Sequence, residues 1–314
     1  MSTEPLLVGL DIGGTQVRAA LARGGRVLTS RATHWPAGLS AAGELDFVAG
    51  VALGLLEETE PGGDIDAVGV SLAALLDADG RVVQWPNRPE WRGLAFRELL
   101  SARLAAPVVV EDDANAAALA EAAFGAGRGR RHLLVLMVGT GVGAGLVLDG
   151  RLFRGRRGWA GEIGHVTVLP EGPACPCGKR GCLQVLSSGR ALERVAAAHG
   201  LTHASQLAEA AARGERWASE ALAASGRWLG FALAGAVNLL DLELIVVGGG
   251  LSGLGDPWLS SMEESLRENT LNADARRVEM VRAELPDTAG VLGGVALARE
   301  FTRAAAGRGA ASYA

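Results

Sequence analysis

The chain of 314 residues is long enough for two domains rather than one minimal core. Hydrophobic residues make up 49% of it and charged residues 21%, which excludes a disordered or fibrous chain and is typical of a folded enzyme. The formal net charge of −5 gives no electrostatic basis for nucleic-acid binding. The sequence offers neither a membrane-spanning apolar stretch nor a signal-peptide pattern, so we expect a cytoplasmic protein without nucleic-acid or membrane partners.

The first half of the chain predicts an α/β domain that opens on a glycine turn. Residues 6–11 form a short apolar strand, the letters IGGT follow, and two further strands complete an antiparallel meander. The elements that follow are a helix over 46–60, a strand over 67–72, a helix over 95–104, a strand over 107–113 and an alanine-rich helix over 114–124.

The opening pattern returns in the second half. Residues 133–150 again give an apolar strand, a Gly/Thr turn and an apolar strand, and they resemble a diverged copy of residues 6–24. Two unrelated hairpins are the alternative, because short glycine turns recur by chance. The rest predicts an irregular insertion over 158–189, helices over 190–199 and 215–240, strands over 242–250 and 278–285, and a closing helix over 289–306.

Three glycine-rich segments are candidates for binding phosphates or a flat ligand. In DIGGT, residues 11–15, the glycine pair lets backbone N–H groups approach a phosphate, Thr15 adds a hydroxyl donor, and Asp11 would hold Mg²⁺ through water. A plain β-turn is the alternative there. Residues 139–145, GTGVGAG, are the second phosphate candidate, and the triplet at 248–250 would let adenine lie against the backbone. The Walker and Rossmann glycine spacings are both absent.

Acidic residues stand where the strand predicted over 107–113 meets a helix, the place where α/β sheets bind ligands. In EDDAN, residues 111–115, a carboxylate would accept the proton of a substrate hydroxyl as it attacks phosphorus. Alternatively, Asp113 would cap the helix that begins at Ala114. These residues alone leave both interpretations open.

The cysteines of the chain fall within eight residues, Cys175 to Cys182, and His165 precedes them. Three thiolates and one imidazole predict a closed tetrahedral zinc site with no open position, hence a structural one. A redox thiol pair is the alternative, although Cys175 and Cys177 are too close in sequence for an unstrained disulfide. One sequence does not decide whether His165 completes the site or packs beside it.

Taken together, these motifs resemble the ROK family of repressors, open reading frames and sugar kinases. The resemblance runs from GLDIGGT at Gly9 to LGGVALA at 292–298, and its most specific part is WAGEIGH followed by CPCGKRGC within 159–182. PNRPEW, residues 86–91, resembles the family's Asn-containing substrate loop. The resemblance implies an α/β, two-domain actin-like/hexokinase ATPase fold, with duplicated ribonuclease-H-like halves and a structural zinc knuckle.

The domain division that we expect follows from this fold. Residues 1–112 would form a small N-terminal α/β domain, completed by the C-terminal helix over about 301–314. Residues 113–300 would form a larger C-terminal domain that carries the zinc-binding insertion at 158–189. Sugar and MgATP would bind in the cleft between the two domains.

The resemblance also implies a role for each matching position, with Asp113 as the catalytic base. The substrate-binding positions would be Asp112, Asp113, Glu162, His165, Gln184, Ala74 and Asn87. The positions that bind ATP and its Mg²⁺ would be Asp11, Gly13, Gly14, Thr15, Gly139, Thr140, Gly141, Gly143, Gly248, Gly249 and Gly250. The ligands of structural Zn²⁺ would be His165, Cys175, Cys177 and Cys182.

Several positions depart from the family pattern on the sugar side. Where the family usually has Asn-Asp-Ala-Asn, this chain has Asp-Asp-Ala-Asn, so that Asp112 replaces the first Asn. Gln184 stands where the family usually has Glu, and Ala74 stands where it usually has Gly. On the ATP side, Gln16 stands where Lys is common. The resemblance implies that the position of Asp112 faces the 3- and 4-hydroxyls of the sugar. A carboxylate only accepts hydrogen bonds whereas an amide also donates, so Asp112 would favour a substrate ammonium at C3.

We therefore expect an ATP-dependent kinase for the 6-hydroxyl of glucose or a glucose-like hexose. A specialised kinase for an amino-hexose such as kanosamine (3-amino-3-deoxyglucose), or for a cyclitol, is the alternative. A non-catalytic sugar sensor is disfavoured because the phosphate motif begins at residue 9, without room for a DNA-binding domain before it. Another actin-like ATPase is disfavoured by the zinc knuckle, and a zinc hydrolase by the closed metal site. Family members are often dimers or tetramers, so we expect a homo-oligomer.

Overall fold

The computed structural model describes residues 4–77, 79–85, 87–271 and 277–311. Pro86 of the predicted substrate loop and residues 312–314 of the predicted C-terminal helix lie outside this range. The chain divides into two compact units, the first made of Met1–Ala123 and Asp287–Ala314 and the second of Phe124–Pro286. Among the described residues, no helix is both long and apolar enough to cross a membrane.

The first unit is a five-stranded sheet with helices. Its sheet strands are β1 (Leu6–Ile12), β2 (Gln16–Arg23), β3 (Arg26–His34), β4 (Ala67–Leu72) and β7 (Val108–Glu111). A small hairpin pairs β5 (Leu75–Leu76) with β6 (Val82–Gln84). Its helices are α1 (Ala41–Thr59), α2 (Phe96–Leu104), α3 (Asp113–Phe124) and α9 (Ala289–Ala311).

The second unit is also a five-stranded sheet with helices. Its sheet strands are β8 (Leu133–Val138), β9 (Val142–Leu148), β10 (Arg151–Leu152), β11 (Leu244–Gly248) and β12 (Glu279–Arg282). Its helices are α4 (Gln184–Ser187), α5 (Gly189–Ala197), α6 (Ser205–Ala212), α7 (Arg216–Leu240) and α8 (Asp256–Asn269).

The two sheets have the same topology. The strand orders are β3-β2-β1-β4-β7 and β10-β9-β8-β11-β12. In both sheets the first three strands in sequence pair antiparallel and the last two join in parallel. The predicted duplication is therefore confirmed at the level of topology, and each copy carries a glycine turn between its first two strands.

Close glycine contacts bring the C-terminal helix back onto the first sheet. A Cβ atom on Gly69 of β4 would lie 2.0 Å from the carbonyl oxygen of Gly294 in α9, and one on Gly293 would lie 2.1 Å from that of Ala116 in α3. Any side chain there would push the helix away. The glycines of the LGGVALA motif thus let α9 pack directly against β4 and α3.

The boundaries of the two units differ from the division expected from the sequence. The expectation placed residues 113–300 in the second domain, whereas α3 and the whole of α9 belong to the first unit. The division falls at Ala123 and Asp287 because both helices pack on the first unit's own elements.

Most predicted elements occur, with shifted ends. Helix α1 begins at Ala41 rather than 46, because Ser40 caps it by accepting a hydrogen bond from the backbone N–H of Gly43 at 3.2 Å. Helices α6 and α8 were not predicted. Within the predicted irregular insertion at 158–189, the regular structure is limited to a short 3-10 helix at Ile163–His165, the four-residue α4 and the first residue of α5.

Candidate active site

The first glycine turn joins β1 and β2 and is closed by its own backbone. The N–H of Gly13 donates to the carbonyl of Gln16 at 3.0 Å. Trp35, which follows β3, donates from its indole Nε1 to the carbonyl of Gly13 at 2.9 Å. Thr15 is exposed. The turn is therefore fixed from one side and leaves Thr15 accessible to a ligand.

A carboxylate pair lies at the end of the first sheet. Asp11 is the next-to-last residue of β1 and lies opposite Arg18 in the β1–β2 register, with Arg18 Nη1 3.2 Å from Asp11 Oδ2. Burial raises the pKa of Asp11 above its ordinary range, Arg18 opposes that rise, and the negative charge of Asp113 adds to it. The charge of Asp113 is therefore near enough to act on Asp11.

Asp113 is the first residue of α3 and is accessible to solvent. Protein atoms nonetheless surround its carboxyl group closely, and this burial raises its pKa above the ordinary range. Hydrogen bonds from the backbone N–H groups of Ala114 and of Asp113 itself oppose the shift. A carboxyl group with a raised pKa that solvent still reaches is suited to accept a proton.

The capping role considered for Asp113 is filled by its neighbour. Asp112 Oδ1 accepts from the backbone N–H of Asn115 at 2.9 Å, which is the N-cap interaction of α3. Asp112 Oδ2 accepts from Asn115 Nδ2 at 2.5 Å, and Glu111 Oε1 accepts from the same amide at 3.0 Å. A fully buried asparagine thus lies between two carboxylates.

Two further predicted substrate residues lie on loops of the first unit. Asn87 is exposed and its amide lies against the glycine turn, since a Cβ atom on Gly14 would be 2.9 Å from Asn87 Nδ2. Ala74 lies in the turn after β4, where its N–H donates to the carbonyl of Leu72 at 2.7 Å. The structure therefore brings Asn87 directly beside the first phosphate candidate.

The second glycine turn joins β8 and β9. The N–H of Gly139 donates to the carbonyl of Gly141 at 3.0 Å, and the N–H of Gly189 donates to the carbonyl of Gly139 at 2.7 Å. Thr140 is exposed at its tip, and Gly143 lies within β9. The start of α5 therefore supports this turn from behind.

The triplet at 248–250 is adjacent to the second glycine turn. Gly249 has φ +86°, and a Cβ atom on it would lie 2.4 Å from the carbonyl of Val138, the last residue of β8. The N–H of Leu251 donates to the same carbonyl at 3.0 Å. Glycine is required there because only glycine tolerates both this φ and this contact. Gly248 is buried and Gly250 is exposed.

The predicted zinc ligands come together in the second unit. The donor atoms of His165, Cys175, Cys177 and Cys182 lie within 4.8 Å of one another. The separation is 3.8 Å from Cys175 Sγ to His165 Nδ1 and 3.6 Å from Cys177 Sγ to Cys182 Sγ. Tetrahedral zinc, with bonds of about 2.3 Å to sulfur and 2.0–2.1 Å to nitrogen, needs donors about 3.5–3.8 Å apart. The donor set and its spacing are therefore compatible with zinc.

Gln184 interacts with this cluster. Its Nε2 donates to Cys175 Sγ at 3.4 Å. Burial alone would raise the pKa of the Cys175 thiol, but hydrogen bonds from the Cys177 backbone, Gln184 and the other thiols lower it to about 6. An amide supports the thiolate here, whereas a glutamate would place a second negative charge beside it.

Glu162 immediately precedes the short 3-10 helix beside the cluster, and His165 is its last residue. His165 directs Nδ1 toward Cys175, and its Nε2 lies 3.9 Å from Glu162 Oε2. The loop packs on β9 without space for side chains, because a Cβ atom on Gly164 would lie 2.1 Å from the carbonyl of Val142. This strand therefore fixes the loop that presents Glu162.

Sequence reasoning missed several residues that the structure brings to these sites. Arg18 could have been found, because the length of the β1–β2 turn sets the register that places it opposite Asp11. Trp35 had no local pattern pointing to it, since its partner is set by tertiary packing. Asn115 stands in the EDDAN motif, but its contacts with Asp112 and Glu111 were not predicted from that motif.

Comparison with known proteins gives one consistent family. The model of the ROK family matches residues 7–301. A glucokinase from Streptomyces coelicolor is 33% identical over 316 residues, which cover 94% of this chain and 98% of that protein. A kanosamine kinase from Amycolatopsis mediterranei is 35% identical over 252 residues, which cover 79% of this chain and 81% of that protein.

A solved structure is similar over almost the full length. It is that of a ROK family glucokinase from Streptomyces griseus in complex with glucose and AMPPNP. The two chains superpose with a TM-score of 0.74 at 33% sequence identity, covering 94% of this chain and 99% of the other. The predicted family resemblance is thereby confirmed.

Proposed function

This chain belongs to the ROK family, and we propose on that premise that it is an ATP-dependent kinase for the 6-hydroxyl of glucose or a glucose-like hexose. The observation that carries the proposal is Asp113, a carboxyl group that solvent reaches at the start of α3, whose pKa is raised by burial and whose charge acts on Asp11. The glucokinase relatives support a sugar as the acceptor, and the AMPPNP bound to one of them supports ATP as the donor.

Catalysis of phosphoryl transfer depends mainly on positioning the two substrates and on stabilising the negative charge of the transferred group. Asp113 accepts the proton of the attacking hydroxyl, which makes that oxygen a better nucleophile toward the γ-phosphorus. In the first unit, the N–H of Gly14 and the hydroxyl of Thr15 donate to phosphate oxygens, while Gly13, whose N–H closes the turn on Gln16, leaves space for the phosphate to approach. In the second unit, the turn at residues 139–143 supplies further donors, and the triplet at 248–250 borders the adenosine.

We assign the orientation of the sugar ring to polar side chains of the family's substrate motifs. Asn87 and Asp112 in the first unit contact ring hydroxyls, as do Glu162 and His165 in the second. Gln184 acts through Cys175. Ala74 lies in the turn after β4 and limits the space for the ring.

Two metal ions belong to this proposal. Asp11 fits Mg²⁺ bound together with ATP, since Mg²⁺ usually takes one or two carboxylates beside substrate phosphates and keeps several waters. That ion would neutralise charge on the transferred group. His165, Cys175, Cys177 and Cys182 would hold Zn²⁺, which would keep the loop carrying Glu162 rigid.

The decisive experiment is an ADP-release assay with MgATP against glucose, mannose, N-acetylglucosamine, glucosamine, kanosamine and a valienol-type cyclitol. Strong turnover of glucose supports a glucokinase. Weak glucose turnover beside strong turnover of kanosamine or the cyclitol supports a specialised kinase. No turnover of any acceptor refutes the kinase proposal and favours a sugar sensor.

A second candidate substrate is kanosamine, and Asp112 is the observation that favours it. Both oxygens of Asp112 already accept hydrogen bonds from Asn115. A carboxylate has about four lone-pair positions, so capacity remains for a substrate ammonium. The similarity to a kanosamine kinase over 79% of the chain supports this alternative.

The charge at Asp112 gives a specificity prediction. The variant Asp112→Asn keeps an oxygen to cap α3 but loses the negative charge, so its preference for the amino-sugar should fall. We expect the ratio of kcat/KM for kanosamine to that for glucose to drop about 10- to 100-fold, the worth of a hydrogen bond to a charged group. Steady-state kinetics with both sugars measures this ratio.

Asp149→Asn is the control for this variant, because it removes the same charge from an exposed site of the second unit and should leave the ratio unchanged. An unchanged ratio in Asp112→Asn would refute the charge argument.

The raised pKa of Asp113 gives a pH prediction. The base must be ionised to accept a proton, so activity falls as pH drops through that pKa. Because the burial of Asp113 raises its pKa, the acid limb of kcat should lie above the range near 3.9 of an ordinary aspartate. A pH profile of kcat at saturating MgATP measures it, and the residual activity of Asp113→Asn should lack this limb. A limb at or below that ordinary range would contradict the assignment.

A further inference from the structure

A cluster of aromatic and charged side chains joins the first glycine turn to the loop that carries Asn87. The cluster consists of Trp35, Glu44, Trp85, Arg88 and Trp91, and we call it the Trp35–Arg88 cluster. Its indole rings pack edge to face, with centroids 6.4 Å apart for Trp35 and Trp91 and 4.7 Å apart for Trp85 and Trp91. All five residues belong to the first unit.

On one side, the cluster holds the glycine turn. Trp35 Nε1 donates to the carbonyl of Gly13 at 2.9 Å. The backbone N–H of Trp35 donates to the carbonyl of Thr15 at 3.4 Å. Trp35 therefore contacts the turn at two places, and its orientation determines where the turn directs its N–H groups.

On the other side, the cluster holds the substrate loop. The guanidinium carbon of Arg88 lies 4.9 Å from the ring centroid of Trp35 and 5.9 Å from that of Trp85. Both distances allow cation–π attraction. Arg88 Nη1 donates to the carbonyl of Asn87 at 3.0 Å. The position of Asn87 thus depends on where Arg88 lies against Trp35.

A buried carboxylate fixes Arg88 in this place. The side chain of Glu44, in α1, is 8% exposed, and its Oε1 lies 2.9 Å from Arg88 Nε. Its other oxygen accepts from Trp91 Nε1 at 2.5 Å. Leaving a buried carboxylate without its partner strongly destabilises the folded protein, so Arg88 stays paired with Glu44 rather than moving into solvent.

The two ends of the cluster meet at Asn87 and Gly14, which are in direct contact. A Cβ atom on Gly14 would lie 2.9 Å from Asn87 Nδ2 and 3.0 Å from Asn87 Cγ. The turn and the Asn87 amide therefore have no space to move toward each other independently.

We infer that Trp35 is a positioning residue that couples nucleotide binding at the glycine turn to acceptor binding at Asn87, with Arg88 as its partner on the loop. The inference rests on the proposed function, in which the turn binds ATP phosphates and Asn87 contacts the acceptor. Ordering of either segment by its ligand places the other in its binding conformation. Coupling of this kind is reciprocal, so each ligand tightens the binding of the other by the same factor.

The test is the affinity for AMPPNP with and without a saturating acceptor, measured by calorimetry on the full chain. The acceptor is glucose, or kanosamine if only kanosamine is turned over. We expect the acceptor to tighten AMPPNP binding about fivefold or more in the unaltered protein. In Trp35→Phe, which keeps an aromatic ring but loses the N–H donor to Gly13, we expect the factor to fall to about twofold or less.

Two further variants serve as a control and as a second test of the coupling. Trp217→Phe removes an indole donor from the second unit, where Trp217 Nε1 donates to Glu215, and it should keep the full coupling factor. The double variant Glu44→Gln/Arg88→Gln breaks the loop side without leaving a buried charge unpaired. It should lose coupling as Trp35→Phe does, and it carries the test if Trp35→Phe does not fold.

The outcomes separate the inference from the proposed function. If no acceptor is phosphorylated by the unaltered protein, the proposed function fails. If the unaltered protein is an active kinase, the inference is overturned in either of two cases: its own AMPPNP affinity does not respond to the acceptor, or Trp35→Phe and the double variant keep the full factor. Loss of coupling in both variants with retention in Trp217→Phe supports the inference.

Discussion

Replacing Asp113 by Asn lowers kcat by about 10²–10⁴, the contribution of a positioned general base. The amide keeps the size and hydrogen-bonding shape of the side chain but has no ionised oxygen to accept the proton. We expect KM for the acceptor to change far less than kcat, because the lost interaction acts mainly in the transition state. Steady-state kinetics with MgATP and the best acceptor measures both parameters.

The neighbouring carboxylates provide the matched control for this variant. Asp112→Asn changes the adjacent residue in the same way and retains an oxygen for the N-cap of α3, so both variants should fold. With glucose as acceptor, we expect Asp112→Asn to retain far more of its kcat than Asp113→Asn. Equal losses in the two variants, or a loss below tenfold in Asp113→Asn, would show that Asp113 is not the base.

Loss of zinc is the second large effect that we expect. The purified protein should contain about one zinc per chain, and Cys182→Ala, which removes a fully buried donor, should abolish it. Loss of a structural metal belongs to the most destabilising class of changes, on the order of 3 kcal/mol or more. In a domain of this size that corresponds to a fall in Tm of roughly 6–12 °C. Metal analysis and calorimetry measure the two quantities.

Val185 offers the control for the zinc experiment. It packs in the same small hydrophobic cluster as Cys175 and Cys182 but has no donor atom. Val185→Ala should lower Tm moderately and leave the zinc content at one per chain. Chelation of the unaltered protein should reproduce the Cys182→Ala result, with recovery on adding Zn²⁺ and none on adding Mg²⁺. A protein that contains no zinc as purified, or a Tm that chelation does not change, would contradict the structural role.

How far the sequence predicts the site depends on how local each interaction is. The zinc ligands were predicted because three of them fall within one turn-rich segment, and the chain brings their donors together over a short path. The pairing of Arg18 with Asp11 follows from a hairpin register and was accessible in principle. Trp35 was not, because 22 residues separate it from Gly13 and no periodic pattern marks it.

The same distinction applies to the cap of α3 and to the unit boundaries. The sequence left Asp113 open between catalytic base and helix cap, but the backbone geometry at the strand end made Asp112 the cap, which left Asp113 as the candidate base. The sequence predicted the closing helix, but not that α3 and all of α9 pack with the first sheet. That assignment depends on contacts between glycine Cα atoms and distant carbonyl groups.

By itself, the sequence determined the family, the α/β class, the duplicated strand–turn–strand plan and the candidate zinc ligands. These are properties of short segments, in which strand period, turn chemistry and ligand spacing act over a few residues. The tertiary structure alone decided that Gln184 supports a thiolate and that Arg88 is held by a buried Glu44. It also placed Asn87 against the first glycine turn. The pairings of Arg88 and Asn87 join residues far apart in the chain, and packing of whole elements sets them rather than any local pattern. Gln184 is only nine residues from Cys175, but no strand or helix period relates the two across the irregular loop.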